Sequence, residues 1–364
     1  MAYINNYQQF AEVYGTNNAD NIDNFGYGAK VYAFGSADVI RNFYADYSTV
    51  QGYTGNDTIY NFSNNAVISG DDGSDYIGNS ASSVVIYGGA DSDTILSDGG
   101  LVLVNIFGGE GNDSITNLSS WSTIDGGDDN DTISNYYASN VVMNGGEGKD
   151  ILKNYGENVT MSGGADDDYF YNYSSNVNIS GDEGNDSIYS AVNLIYISVN
   201  GGAGNDTVTN YSSWSAFYGG AGKDKVRSES QASNIWIDGG EDDDQITNYS
   251  SNATIDGGSG DDYISVYSDN TTIIYYKNQG QDTIFNSTNL SSGITVYFPN
   301  ASIDDIQSIS GTTSLYFNNS SSISFSNGFN YSTGDKTSRT KEQTTFRFSN
   351  GDEYIYSDGS LVRK

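Results

Sequence analysis

A hexapeptide that keeps returning constrains this chain more than any other feature. Gly108-Gly109-Glu110-Gly111-Asn112-Asp113 reads G-G-x-G-x-D, and full copies also stand at 145–150, 201–206, 219–224 and 257–262. Near copies, with Asp in place of the second or third glycine, occupy 70–75, 88–93, 126–131, 163–168, 181–186 and 239–244, and a looser one runs from Gly52 to Asp57. Twelve copies at one short period mean a fold that grows by stacking, although 364 residues would otherwise suggest two or three globular domains.

Taking the last Asp of each copy as a mark extends the register outward to Asp20, Asp38 and Asp282, fourteen intervals over 262 residues with a mean of about 18.7. Two positions after every mark stands an apolar residue, from Ile22 and Ile40 through Ile115, Ile133, Leu152 and Phe170 to Ile264 and Ile284. Seven positions before the mark stands a second apolar set, including Val50, Ile68, Ile106, Ile124, Met143, Val199, Phe217 and Ile255. Single apolar residues between polar neighbours are the period-two signature of half-buried strands, here two to a repeat. The expected fold is all-β: a parallel β-roll or β-helix solenoid of about 15 coils of 18–20 residues each. At ~4.8 Å per coil it would be a rod about 70 Å long. Residues 1–14 are expected as an N-terminal cap, 15–286 as the repeats, and 287–364 as a β-rich C-terminal cap.

The two turns of a coil differ. One is G-G-x-G-x-D; the other is typically Asn-Tyr-Ser-Ser-Asn, as at 172–176 and 248–252, and it stacks Asn24, Asn42, Asn61, Asn117, Asn135, Asn154 and others at one register. Stacked amides satisfying turn after turn is the reading favoured for that edge. The residue after the Asn is often aromatic: Phe25, Phe43, Phe62, Tyr136, Tyr155, Tyr173, Tyr211, Tyr249 and Tyr267. Such a strip either packs over the turns, the favoured reading, or offers rings to a sugar.

The first turn carries the chemistry. Calcium takes six to eight oxygen ligands in irregular geometry, and glycine frees backbone carbonyls to turn toward a common point. Where the third glycine is missing, Asp91, Asp129, Asp166 or Asp242 replaces it, and Asp tolerates the left-handed conformation. The expected ligands are Asp57, Asp75, Asp93, Asp113, Asp131, Asp150, Asp168, Asp186, Asp206, Asp224, Asp244 and Asp262. The turns that present them include Gly108 and Gly111, Gly145 and Gly148, Gly201 and Gly204, Gly219 and Gly222, and Gly257 and Gly260. Ions between successive turns fill eleven gaps, so about eleven Ca²⁺ are expected. They would offset most of the formal charge of −33, which otherwise aligns carboxylates along one edge.

The same acidity argues against nucleic acid and anionic membranes as partners. With no Cys and no His, disulfides, thiolate zinc sites and Ser-His-Asp or Cys-His catalysis are excluded. The N-terminus shows no basic and apolar signal pattern, and no run of about 18 apolar residues occurs. Beyond Ser287 the landmarks are Ile294-Thr295-Val296-Tyr297-Phe298, Ser302-Ile303-Asp304-Asp305-Ile306, Ser314-Leu315-Tyr316-Phe317, the stretch 322–329 and Thr345-Phe346-Arg347-Phe348. A charged loop spans 335–343. Alternation between Asn, Gly and Ser turns reads as strands that cap the stack.

Across residues 15–285 the chain resembles the repeats-in-toxin, or haemolysin-type, calcium-binding proteins, and its tail is similar to the β-rich segment that follows their repeats. The resemblance implies a right-handed β-roll that is disordered at low calcium and folds outside the cell. It also implies export by a type I system through an uncleaved C-terminal signal, hence a secreted, extracellular or bacterial cell-surface location. Only about fourteen residues precede the repeats, so an enzyme is not expected. The leading reading is a structural, surface-layer, matrix or adhesive protein that binds calcium and associates with itself end to end or with surface glycans. The alternative is a carbohydrate-binding module using the Asn-Tyr edge. Ice binding would need an unbroken Thr ladder, and Ile151/Lys153, Tyr169/Tyr171 and Lys225/Arg227 interrupt the pairs Ser114/Thr116 and Thr207/Thr209.

Overall fold

A computed structural model describes residues 2–287, 293–310, 314–317, 321–325, 344–357 and 360–364. Apart from one 3-10 turn at Ile303–Asp305, every regular element among them is a strand. The chain gathers into two compact units, Met1–Ile179 and Ser180–Lys364.

In the first unit the strand after each register Asp joins one parallel sheet, and the strand before it joins a second. Asn105–Glu110 pairs with Thr123–Asp128, placing Ile106 opposite Ile124, while Ser114–Asn117 pairs with Thr132–Asn135, placing Ile115 opposite Ile133. Identical residues thus meet coil after coil, and both predicted apolar rows are buried. The fold is a parallel β-solenoid, as the period requires. Residues 3–14, expected as a cap, form a coil of the same kind, with Tyr3–Asn6 and Glu12–Tyr14 in register with Asn21–Asn24 and Lys30–Tyr32.

A third inward row escaped the sequence reading. Two positions before the second apolar set lie Ala66, Val84, Val104, Ser122, Val141 and Val159, all buried. Small residues of mixed polarity give no periodic apolar signal there.

That turn is held by the amide ladder. Asn24 Nδ2 donates to Asn42 Oδ1, Asn42 to Asn61 and Asn61 to Asn79, each at 2.8 Å, and Asn117, Asn135, Asn154 and Asn172 continue at 3.0–3.1 Å. Each Asn also clasps its own turn: Asn154 accepts from Gly156 N and donates to Gly156 O, both at 2.9 Å. Replacing Asn154 by Ala removes buried hydrogen bonds to its own coil and to both neighbouring coils, so we expect a loss of about 1–3 kcal/mol in equilibrium unfolding in calcium.

In the second unit two parallel sheets of the same kind are built, one with Thr207–Asn210 and Lys225–Ser228, the other with Ala216–Ala221 and Trp236–Glu241. The C-terminal segment, expected as a β-rich cap, first prolongs the stack. Ile294–Phe298 pairs in parallel with Thr271–Ile274, Thr345–Phe348 with Ile294–Phe298, and Ser322–Phe325 with Gln281–Asn286. Here aromatic side chains, Tyr275, Phe298, Phe317, Phe325, Phe346 and Phe348, replace Ile and Val in the core. Antiparallel strands then end both sheets, Ile306–Ser310 with Ser314–Phe317 on one and Glu353–Ser357 with Ser360–Arg363 on the other. The turn at 327–329 and the charged loop at 335–343 lie outside the described residues.

Candidate metal centre

The glycine-rich turn is built differently from the simple corner the motif suggests. Gly108 and Gly109 prolong the strand Asn105–Glu110, and the chain reverses over the next residues to reach Asp113. Gly111 has φ +108°, and a β-carbon there would strike the backbone of Asp91 one coil earlier. Asp91 itself has φ +71°, and Asp129, Asp166 and Asp242 lie at +73 to +77°, so Asp does stand in for glycine in the left-handed region. Asp71 and Asp182, replacing the second glycine, do the same at +70° and +74°.

The register Asp folds its side chain inside the turn. Its Oδ1 accepts the backbone N–H of the register Asp one coil earlier: Asp57 N donates to Asp75 Oδ1 at 2.6 Å, Asp113 N to Asp131 Oδ1 at 2.7 Å, and Asp206 N to Asp224 Oδ1 at 2.7 Å. The other oxygen has no such partner. In Asp57, Asp75, Asp93, Asp113, Asp131 and Asp150 of the first unit, and in Asp206, Asp224, Asp244 and Asp262 of the second, Oδ2 is buried without a hydrogen-bond donor. Asp168 and Asp186 are equally buried, Asp168 Oδ1 accepting from Asp150 N at 2.8 Å and Asp186 N donating to Asp206 Oδ1 at 2.7 Å.

Each lone oxygen faces a small space beside the first glycine. A β-carbon on Gly126 would fall against Asp131 Oδ2 and lie 2.5 Å from the carbonyl oxygen of Gly145 in the next coil. Gly52, Gly70, Gly88, Gly108 and Gly145 hold the same space in the first unit, and Gly181, Gly201, Gly219 and Gly239 in the second, each between its own coil's carboxylate and the next coil's glycine carbonyl. At Gly257 only Asp262 is near. A buried carboxylate oxygen lacking a donor, converging with a carbonyl from the neighbouring coil, is the donor chemistry that calcium accepts. Among the described residues no three acidic side chains converge on a point. For an ion held there, backbone carbonyls would have to supply the remaining oxygens. Gly145→Ala would fill one such space. We expect it to retain one ion fewer and to cost about 1–3 kcal/mol, whereas Gly99→Ala, which meets only Leu118 at 3.7 Å, should be near neutral.

The electrostatics agree. Burial pushes the Asp93 carboxyl up to about 8, with like-charged Asp75 and Asp113 adding to it, and burial raises Asp131 and Asp244 to about 8 and Asp57 and Asp150 to about 7. Desolvated carboxylates of this kind call for a cation.

The ends of the run differ. Asp20 Oδ2 accepts Thr16 N at 2.7 Å and Thr16 Oγ1 at 2.9 Å, so a hydroxyl occupies the position that the spaces of later coils leave open. Asp38, whose turn lacks the glycine pair, nonetheless has a buried Oδ2 without a donor. Only its place in the register, with Ile40 two residues on, pointed to it.

The aromatic edge resolves into ring stacks. Tyr7, Phe25, Phe43 and Phe62 lie face to face at 5.0–5.2 Å, and Tyr136, Tyr155 and Tyr173 at 5.1 and 4.7 Å. Within these two stacks the inner rings cover one another's faces, as packing over the turns requires.

Repeating turns, buried carboxylates and converging carbonyls define a calcium-binding β-solenoid. The signature of the RTX calcium-binding nonapeptide repeat matches four times, at residues 80–100, 105–116, 122–134 and 198–209, so the chain carries repeats of the RTX type. No curated protein matches its sequence. Among solved structures it is similar to a hyperactive, Ca²⁺-dependent, β-helical antifreeze protein from an Antarctic bacterium. That likeness has 17% identity and a TM-score of 0.48, over 99% of this chain and 95% of the other.

Proposed function

We propose that this is a secreted structural or adhesive protein whose solenoid is locked by calcium in the gaps between successive glycine-rich turns. The observation that carries the reading is the repeated buried Oδ2 without a donor, set against the next coil's carbonyl. Asp57, Asp75, Asp93, Asp113, Asp131, Asp150, Asp168, Asp186, Asp206, Asp224, Asp244 and Asp262 supply the carboxylates. The first glycines supply room and carbonyls, and about eleven ions fill the run. Calcium contributes charge neutralisation and a fixed oxygen cage; the residues themselves orient the turns and exclude water. Sites of modest affinity suit an extracellular setting rich in calcium. No helix among the described residues is long and apolar enough to cross a membrane.

The test is a calcium titration of chelator-stripped protein, followed by circular dichroism and sedimentation. A cooperative coil-to-β transition supports calcium locking, and growth in mass beyond one chain supports self-assembly. A β signal indifferent to calcium would contradict the first, and a strict monomer in calcium the second.

A further inference from the structure

One corner of the Asn turn breaks its own rule. The residue that enters the second sheet there has positive φ, and many coils place Asn at it, as with Asn140, Asn158 and Asn176 at +57 to +60°. Bulky residues stand there singly at Phe10 and Tyr47, at +53° and +63°, and in two pairs of successive coils: Leu103 and Trp121 in the first unit, both at +58°, and Tyr196 and Trp214 in the second, at +59° and +54°. A large side chain in the left-handed region is strained, and such strain concentrates where a surface has a task. All four are more than half exposed: Leu103 55%, Trp121 60%, Tyr196 58% and Trp214 58%.

The arrangement is duplicated in detail. Both Trp residues sit in Ser-Ser-Trp-Ser, 93 positions apart, and each follows a 20-residue coil with Leu101-Val102-Leu103 matching Leu194-Ile195-Tyr196. Val102 bridges Ser120 as Ile195 bridges Ser213, and Leu103 N donates to Ser120 O as Tyr196 N donates to Ser213 O. In the second unit the pair opens a groove of about 590 Å³, lined by Tyr196, Trp214 and Trp236 together with the side chains of Asn234, Asn252 and Thr254. No charged residue lines it, in a chain of net charge −33.

The geometry points to a binding site for neutral polysaccharide on this groove, repeated as the Leu103/Trp121 platform in the first unit. Aromatic rings receive the apolar faces of pyranose units, and amides and hydroxyls between them meet the equatorial hydroxyls. An anionic partner would meet the chain's own charge. Two copies in one chain suit a ligand that repeats. The inference deepens the adhesive reading and rests on it for the calcium-held fold.

The three Trp residues of the chain are Trp121, Trp214 and Trp236, so tryptophan emission reports on these sites alone. The experiment is affinity electrophoresis and fluorescence titration of the full chain in calcium, its fold checked by circular dichroism in the same buffer. The probes are dextran, starch, a β-glucan and agarose, with alginate as the anionic comparator. We expect retention by at least one neutral polymer with a saturable emission change. Trp214→Asn should weaken retention about tenfold or more, and Trp121→Asn/Trp214→Asn should abolish it. Asn is the residue other coils use at that corner, so these variants should keep the fold. Folded protein retained by no neutral polymer, retention on alginate alone, or equal retention of the double variant would each overturn the site. Self-association abolished in the double variant, without glycan binding, would assign the surface to a second copy instead. A chain that stays unfolded in calcium would contradict the calcium reading, and with it the groove.

Discussion

Stripped of calcium at pH 7.5, the protein should lose its β-sheet circular dichroism signal almost completely and regain it when calcium is returned. The register Asp residues are buried, and Oδ2 of Asp57, Asp75, Asp93, Asp113, Asp131, Asp150, Asp206, Asp224, Asp244 and Asp262 has no donor. Successive coils bring these carboxylates to about 4.8 Å spacing, where unscreened like charges repel strongly. The core opposing that repulsion is a few Ile, Val and Ala per coil, too thin to absorb a desolvated charge at every rung. Binding free energy is therefore folding free energy, as in small metal-dependent domains. A chelated sample that kept its full spectrum would contradict this.

Acid should rescue the chelated protein. The register carboxyls are raised from an ordinary value of 3.8 to about 6 at Asp75, Asp113, Asp206 and Asp224, about 7 at Asp57 and Asp150, and about 8 at Asp93, Asp131 and Asp244, burial being the main cause throughout. Between about pH 4 and pH 8 the metal-free folded state thus binds more protons than the unfolded chain. Its stability falls as pH rises through that window and returns as pH drops. Without calcium, a β signal should appear near pH 5 and vanish by pH 8. With calcium the order reverses, because protons compete for the ligands and the midpoint calcium concentration should climb as pH falls. Circular dichroism across pH, with and without chelator, separates the two regimes; a chelated protein equally unfolded at pH 5 and pH 8 would show that buried charge is not what opposes folding.

Much of this was legible in the sequence because a solenoid repeats its reasons. Ile at two positions after each Asp fixes both strand and facing, and a one-residue slip would turn every such side chain outward. The Asn ladder and the Asp-for-Gly exchange followed from residue chemistry alone. What stayed hidden has physical causes. The inner row of Ala66, Val84, Val104 and Ser122 is buried but mixes apolar residues with Ser, so it carries no steady hydropathy. The continued stacking of Ile294–Phe298 and Thr345–Phe348 was masked because aromatic core residues there dispense with the glycine turn. The stacking of Tyr155 on Tyr173 and the exposure of Trp214 depend on which way each ring turns at its corner, which spacing does not encode.

The most direct test of calcium locking is a count. Native mass spectrometry of protein refolded in calcium and exchanged into volatile buffer should show a folded, low-charge species carrying about eleven Ca²⁺ per chain. Metal-free chains should appear only in the unfolded, high-charge envelope. A folded envelope carrying no calcium would contradict the account, and the glycine-rich turns would then be corners of a solenoid that stands without metal.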